Sequence, residues 1–193
     1  MFGLFAGIFI QNAASLLERC NTAKCNDENK LYFPDSQEKC SLLLVNIIKT
    51  LSIVCMHDSQ NFVNAQRFDI MMQPIVDQLE NEYVINNEEI KTLVTPCLAY
   101  LAAAVADDTL WKQMNYQILM KTRNNNPNIR LFALTTFVEI AKKLGEDFLP
   151  LLPETIPFLA ELLEDENNEV ERSCQKAVQD LEKVLGEPLQ KYF

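Results

Sequence analysis

The stretch NPNIRLFALTTFVEIAKKLG, Asn126 to Gly145, returns 41 residues later as NNEVERSCQKAVQDLEKVLG, Asn167 to Gly186. Asn126 aligns with Asn167, Ile129 with Val170, Ala133 with Cys174, Ile140 with Leu181, and Leu144-Gly145 with Leu185-Gly186. Each copy opens on asparagine, whose side chain can accept from the orphan amides at a helix N-terminus. Each closes on glycine, the residue that most easily takes the left-handed backbone of a helix C-cap. Between those marks apolar residues recur at intervals of three and four, the period of one helix face. A helix that returns at a fixed interval implies a recurring unit whose copies bury one another.

An interval of 41 residues leaves room for a second helix in each unit, and two-helix units of about that length are HEAT-type solenoid repeats. The pattern extends upstream. PIVDQLEN, from Pro74, echoes PFLAELLED, from Pro157, close to two intervals away. The expected fold is all-α, one α-solenoid over residues 1–193 built of about four HEAT-type helical hairpins, near 2–56, 63–106, 108–145 and 148–186. Its first helix covers Phe2 to Cys20, and Ser36 caps a second reaching Met56. A third runs from Val63 to Tyr83 with Pro74 inside, and a fourth starts at Asn86-Asn87 and ends near Ala106. Asp107-Asp108 caps the fifth, Thr109 to Arg123, and Asn126-Pro127 opens the sixth in the favoured order of cap then proline. The seventh spans Phe148 to Glu164 with Pro153 and Pro157 inside. The polar stretch 21–35 is expected to be a flexible loop. The polar last hairpin suits a capping repeat with a wettable outer face.

Charge narrows the functional classes. The net charge is -10 over 193 residues, and an acidic chain is a poor general binder of nucleic acid, whose phosphates demand clustered Lys and Arg. The distribution is uneven: residues 146–187 carry a net -9, whereas residues 108–145 carry +4. Protein partners are expected first, with local contact to RNA confined to the basic stretch. Cys20, Cys25, Cys40, Cys55, Cys97 and Cys174 contain no C-x-x-C pair, and His57 is the only histidine. Zinc needs closely spaced ligands, so reduced, structural cysteines and no metal are expected. The sequence contains no Gly-rich phosphate loop, H-E-x-x-H or G-x-S-x-G. No enzymatic activity, cofactor or small-molecule substrate is expected. The opening MFGLFAGIFI is too short to span a bilayer, which takes about 20 residues, and it lacks the basic region of a signal peptide. It reads as a helix face that other repeats would cover.

Candidate binding residues follow from those charges. Lys121, Arg123 and Arg130 flank the turn between the fifth and sixth helices, with Lys112 one face away, and could hold a phosphate backbone or an acidic partner. The plainer reading is a solvated turn with Arg130 paired to an acid of the next repeat. Trp111 could anchor an interface, since tryptophan is favoured there; at helical spacing with Asn115 and Ile118 it could equally be core. The acidic run holding Glu161, Glu164, Asp165, Glu166 and Glu169 could take a basic protein tail, or serve only to keep the cap soluble.

Three strings carry a family resemblance: ADDTLWKQMNYQILMKTR (Ala106 to Arg123), LLPETIPFLAELLED (Leu151 to Asp165) and LGEPLQKYF (Leu185 to Phe193). They resemble the C-terminal region of the large nucleolar HEAT-repeat proteins of the small-subunit processome. The resemblance implies a scaffold without catalysis, working in the nucleolus on small-subunit ribosomal RNA maturation and in support of RNA polymerase I transcription. Its partners would be processome proteins, further repeats of the same long chain, and pre-ribosomal or small nucleolar RNA. One feature departs from the HEAT pattern, in which an arginine follows the first buried aliphatic of the second helix. Arg130 follows Ile129, but Glu171 follows Val170. The alternatives are a module that binds RNA directly, or a transport or regulatory adaptor sharing the architecture alone.

Overall fold

The computed structural model describes residues 2–25, 31–58, 61–186 and 188–192, and the side chains among these except 2–6 and 190. Residues 26–30 of the expected loop, and the side chains of residues 1–6 in the apolar opening run, lie outside the described residues. Among the described residues the chain is all-α, with nine α-helices and no strand. It divides into two compact units, Met1–Ala106 and Asp107–Phe193.

The first unit holds α1 (Phe2–Arg19), α2 (Gln37–Met56), α3 (Ala65–Val76), the short α4 (Glu82–Ile85) and α5 (Glu88–Ala104). Two hairpins stack, first helix on first and second on second: α1 packs on α3, and α2 on α5. Ser36 accepts from the Lys39 amide to cap α2, and Asn87 accepts from the Ile90 amide to cap α5. The third helix is shorter than the pattern of apolar residues predicts. It gives way at Asp77 to a 3-10 turn, Asp77–Glu80, and then to α4. The residues that end it are buried amides serving α1. Gln78 Nε2 donates to the carbonyls of Leu17 (3.2 Å) and Pro74 (2.9 Å). Asn81 Nδ2 donates to the Cys20 carbonyl (2.9 Å) and to Gln78 Oε1 (2.8 Å). From the other side Asn21 Nδ2 donates to the Asp77 carbonyl at 2.8 Å, and Lys24 pairs with Asp77 at 3.2 Å. These bonds satisfy orphan carbonyls at the end of α1, and they hold the described start of the 21–35 stretch against the turn.

The second unit repeats the plan: α6 (Asp108–Lys121), α7 (Pro127–Leu144), α8 (Leu152–Leu163) and α9 (Asn168–Leu185). Here α6 packs on α7 and α8, and α9 packs on α7 and α8. The two copies of the quoted stretch are α7 and α9. Asn126 accepts from the Asn128 amide, Asn167 from the amides of Glu169 and Val170. Ile129, Ala133 and Ile140 are buried in α7, and Val170, Cys174 and Leu181 in α9. Gly145 and Gly186 both have positive φ, +60° and +71°. A 3-10 run over Gly145–Leu151 precedes α8, which puts Pro153 in its first turn and leaves Pro157 as its internal proline.

Candidate partner-binding surfaces

Two surfaces of the second unit gather polar and charged side chains: the turns that join the paired helices, and the groove between α7 and α9.

At the turns, asparagine and aspartate occupy equivalent places in successive repeats. Asn124 Oδ1 accepts from the Asn126 amide and Asp165 Oδ1 from the Asn167 amide, each at 2.9 Å. The aspartate adds a charge, and Arg130 uses it. Arg130 Nη2 donates to Asp165 Oδ1 at 2.6 Å, and Nη1 donates to the carbonyls of Asn124 (2.9 Å) and Asn125 (3.1 Å). Both side chains are buried. Arg123 reaches the same neighbouring helix. It donates from Nε and Nη2 to the two carboxylate oxygens of Glu161, the Nε bond being 2.7 Å, and its guanidinium lies 4.2 Å from the centre of the Phe158 ring. The hydrogen bonds from Arg123 hold the Glu161 carboxyl below the usual glutamate range.

Arg130 is held by Asp165 in a buried pair, whereas Arg123 and Glu161 pair at the surface, each about half exposed. Trp111 is only 6% exposed, which makes it a buried residue and not an exposed anchor. Lys112 is exposed on α6 and Lys121 half-buried at its end, roughly 13 Å apart along the axis at 1.5 Å per residue. Lys112 therefore stands apart from the turn. Glu164, Glu166 and Glu169 are exposed around the α8–α9 turn. Glu166 also edges a hollow of about 400 Å³ beside Arg123, Asn125 and Arg130.

The groove between α7 and α9 has an apolar floor of Leu134, Val138 and Ala177 and a polar rim of Thr135, Lys142, Ser173 and Lys176, enclosing about 280 Å³. Lys142 bridges the helices, 2.8 Å from Glu139 and 3.6 Å from Asp180, and Lys183 lies 3.3 Å from Asp180. Partial desolvation raises the Asp180 carboxyl, but the Lys183 hydrogen bond and the charges of Lys142, Lys183 and Lys176 outweigh it and leave the group below its ordinary value. The hydrogen bond to Glu139 raises Lys142. The sequence analysis singled out none of these lining residues; their signal lay in Ser173, Lys176 and Asp180, polar residues that flank the apolar stripe of α9.

The six cysteines are free thiols, five of them buried. Burial pushes Cys20, Cys97 and Cys174 up to about 12, so they behave as small apolar groups. Among the described residues no three His, Cys, Asp or Glu side chains converge on a possible metal position.

Comparison with known proteins agrees with the resemblance read from the three strings. Human "HEAT repeat-containing protein 1" is 47% identical over 197 residues, covering 100% of this chain and 9% of that protein. The Drosophila melanogaster homologue is 43% identical over 193 residues, again across 100% of the chain and 9% of the relative. From Aspergillus niger, "U3 small nucleolar RNA-associated protein 10" is 29% identical over 201 residues, covering 96% of the chain and 10% of the relative. The chain thus spans about a tenth of the length of these relatives. No protein-family model matches it.

Proposed function

The chain is a relative of HEAT repeat-containing protein 1 over its whole length, and on that basis we propose that it is a non-enzymatic scaffold segment in ribosome biogenesis. Its place would be the nucleus and nucleolus, within the early small-subunit processome, in support of pre-ribosomal RNA processing and RNA polymerase I transcription. The observation that carries the reading is the 47% identity across every part of the chain. The name of the Aspergillus relative, which refers to the U3 small nucleolar RNA, adds the ribosomal context.

Protein docking is the mode that the surfaces favour. The arginines suited to gripping phosphate are held by Glu161 and Asp165. The α7–α9 groove offers an apolar floor with charges of both signs on its rim, which suits a protein segment better than a phosphate backbone. Glu164, Glu166 and Glu169 would meet basic segments of assembly factors.

The test is a pull-down of the tagged chain from nuclear extract, with and without RNase, read by mass spectrometry. Processome proteins that survive RNase are the expected result. Recovery that disappears with RNase would transfer the role to direct RNA binding through Lys112 and Lys121. Transport or phosphatase factors in place of processome proteins would point to an adaptor that shares only the architecture.

A further inference from the structure

The charges of α9 are sorted by side. At 100° per residue, Arg172, Lys176 and Lys183 fall within about 40° of one another, and all three are exposed. They adjoin the wall that α9 gives to the groove through Ser173, Lys176 and Asp180. Glu171 and Glu182 fall on the opposite side of the helix, where Glu182 accepts from the Leu189 amide at 2.8 Å. The acids on the groove side are Glu139, Asp180 and, in the first turn of α9, Glu169. Glu139 and Asp180 are already engaged: Lys142 lies 2.8 Å and 3.6 Å from them, and Lys183 is 3.3 Å from Asp180. Arg172 and Lys176 make no hydrogen bond or ion pair among the described residues. Two spare cations therefore stand beside an apolar-floored groove, in a stretch (residues 146–187) whose net charge is -9.

Building on the protein-docking role of this groove, we propose that its occupant is an acidic protein segment in which carboxylates flank apolar side chains. The floor of Leu134, Val138 and Ala177 takes the apolar anchor. Its volume of about 280 Å³ falls just below the range of small-molecule pockets, about 300–1,000 Å³, and suits one or two side chains of a polypeptide. Carboxylates beside the anchor meet Lys176 and Arg172, which are four residues apart and so about 6 Å apart on one helix face. Lys183 extends the row of cations to about 16 Å at 1.5 Å per residue. The charge complementarity is thus local: an acidic segment is repelled by the chain as a whole and attracted at this flank.

Two other occupants fit less well. A phosphate backbone would meet the same cations, but affinity for nucleic acid rests on clustered Lys and Arg. Here the cations are interleaved with Glu139, Glu169 and Asp180, which a polyanion meets along its whole length. A peptide can set a neutral or apolar residue opposite each of those acids. A basic segment has the opposite difficulty, since Arg172 and Lys176 are the charges left without a partner.

The experiment titrates the natural-length protein into fluorescein-labelled probes and follows anisotropy. The probes are a peptide of repeating Leu-Asp-Glu, the same peptide with serine in place of leucine, a peptide of repeating Leu-Lys-Arg, and oligouridylate. Arg172→Glu combined with Lys176→Glu is expected to weaken binding of the Leu-Asp-Glu peptide about tenfold, two exposed charge contacts being reversed. Lys39→Glu on α2 should leave that binding unchanged. The serine peptide should bind several-fold more weakly than the leucine peptide, because it has nothing to place on the apolar floor. The proposal is overturned if the wild type does not bind the Leu-Asp-Glu peptide, binds the serine peptide equally well or prefers the Leu-Lys-Arg peptide. It is overturned too if the double variant binds the Leu-Asp-Glu peptide as the wild type does, and a loss of oligouridylate alone in that variant would assign the cations to RNA. Should wild type and double variant recover the same processome proteins from nuclear extract, the scaffold function would stand and the groove would have no part in it.

Discussion

Arg130 and Asp165 form an ion pair at 2.6 Å whose side chains are only 8% and 9% exposed, and the aspartate oxygen that receives the arginine also caps the backbone before α9. The pair joins the first turn of α7 to the turn of the following repeat. Breaking a buried pair from one side leaves the other charge without compensation, which costs about 3–5 kcal/mol. Asp165→Ala is therefore expected to lower unfolding free energy by about that much in urea, followed by circular dichroism. Replacing both, as Arg130→Met with Asp165→Leu, should cost clearly less than the two single changes added together. A strictly additive pair would mean that the contact does not act as a unit.

Arg123 and Glu161 make the exposed counterpart, and its contribution depends on pH. The folded carboxyl is held below its ordinary value by the Arg123 hydrogen bonds. A group depressed in this way stabilises the fold fully above its unfolded value, and the contribution fades as pH falls through the folded value. The stability difference between the wild type and Glu161→Gln should be level near neutrality and shrink under acid conditions, below the ordinary glutamate range. Solvent screening keeps the difference small. A difference that grows on acidification would contradict the assignment.

Asn81 closes the first unit's polar cluster, donating to the Cys20 carbonyl and to Gln78 Oε1. Asn81→Ala leaves a buried carbonyl and a buried amide oxygen without their donor, at about 1–3 kcal/mol for each such group. For the two groups together we expect a loss of about 2–6 kcal/mol by chemical denaturation. Faster hydrogen exchange should appear at the end of α1 and over Asp77–Ile85, with α2 and α5 exchanging as before. Uniform acceleration across the unit would argue against a local lock.

The legible part of this fold was whatever depends on spacing along the chain. The 41-residue interval identified the Asn126 and Asn167 caps, the Gly145 and Gly186 ends and the buried positions between them, because helix period and capping act within a few residues. The end of α3 at Val76 was not legible. Pro74 advertised a bend, but the chain turns three residues later, where Gln78 and Asn81 reach α1. Those bonds connect residues some 60 positions apart, and no local pattern encodes them. The candidate site was less legible for the same reason. Arg123 and Glu161 stood out as charges, but their pairing required the stacking register of α6 on α8.

The two repeat-ending glycines separate two backbone requirements that look alike in sequence. Gly186 has φ +71° and ψ 13°, an ordinary left-handed cap, with its amide bonded to the Glu182 carbonyl at 2.9 Å. Gly145 has φ +60° but ψ -128°, a combination close to the region that only glycine adopts readily. A Cβ at either position meets no atom within 4 Å, so the cost of substitution is backbone strain and not a clash. Gly186→Ala should lose about 1–2 kcal/mol, the penalty of a left-handed residue bearing a Cβ. Gly186→Asn should recover part of it, because asparagine tolerates that conformation. At Gly145 the asparagine variant should be no better than alanine, since the amide side chain offers nothing at ψ -128°. Thermal unfolding of the four variants tests this directly, and equal rescue by asparagine at both positions would show that the two ends obey one rule.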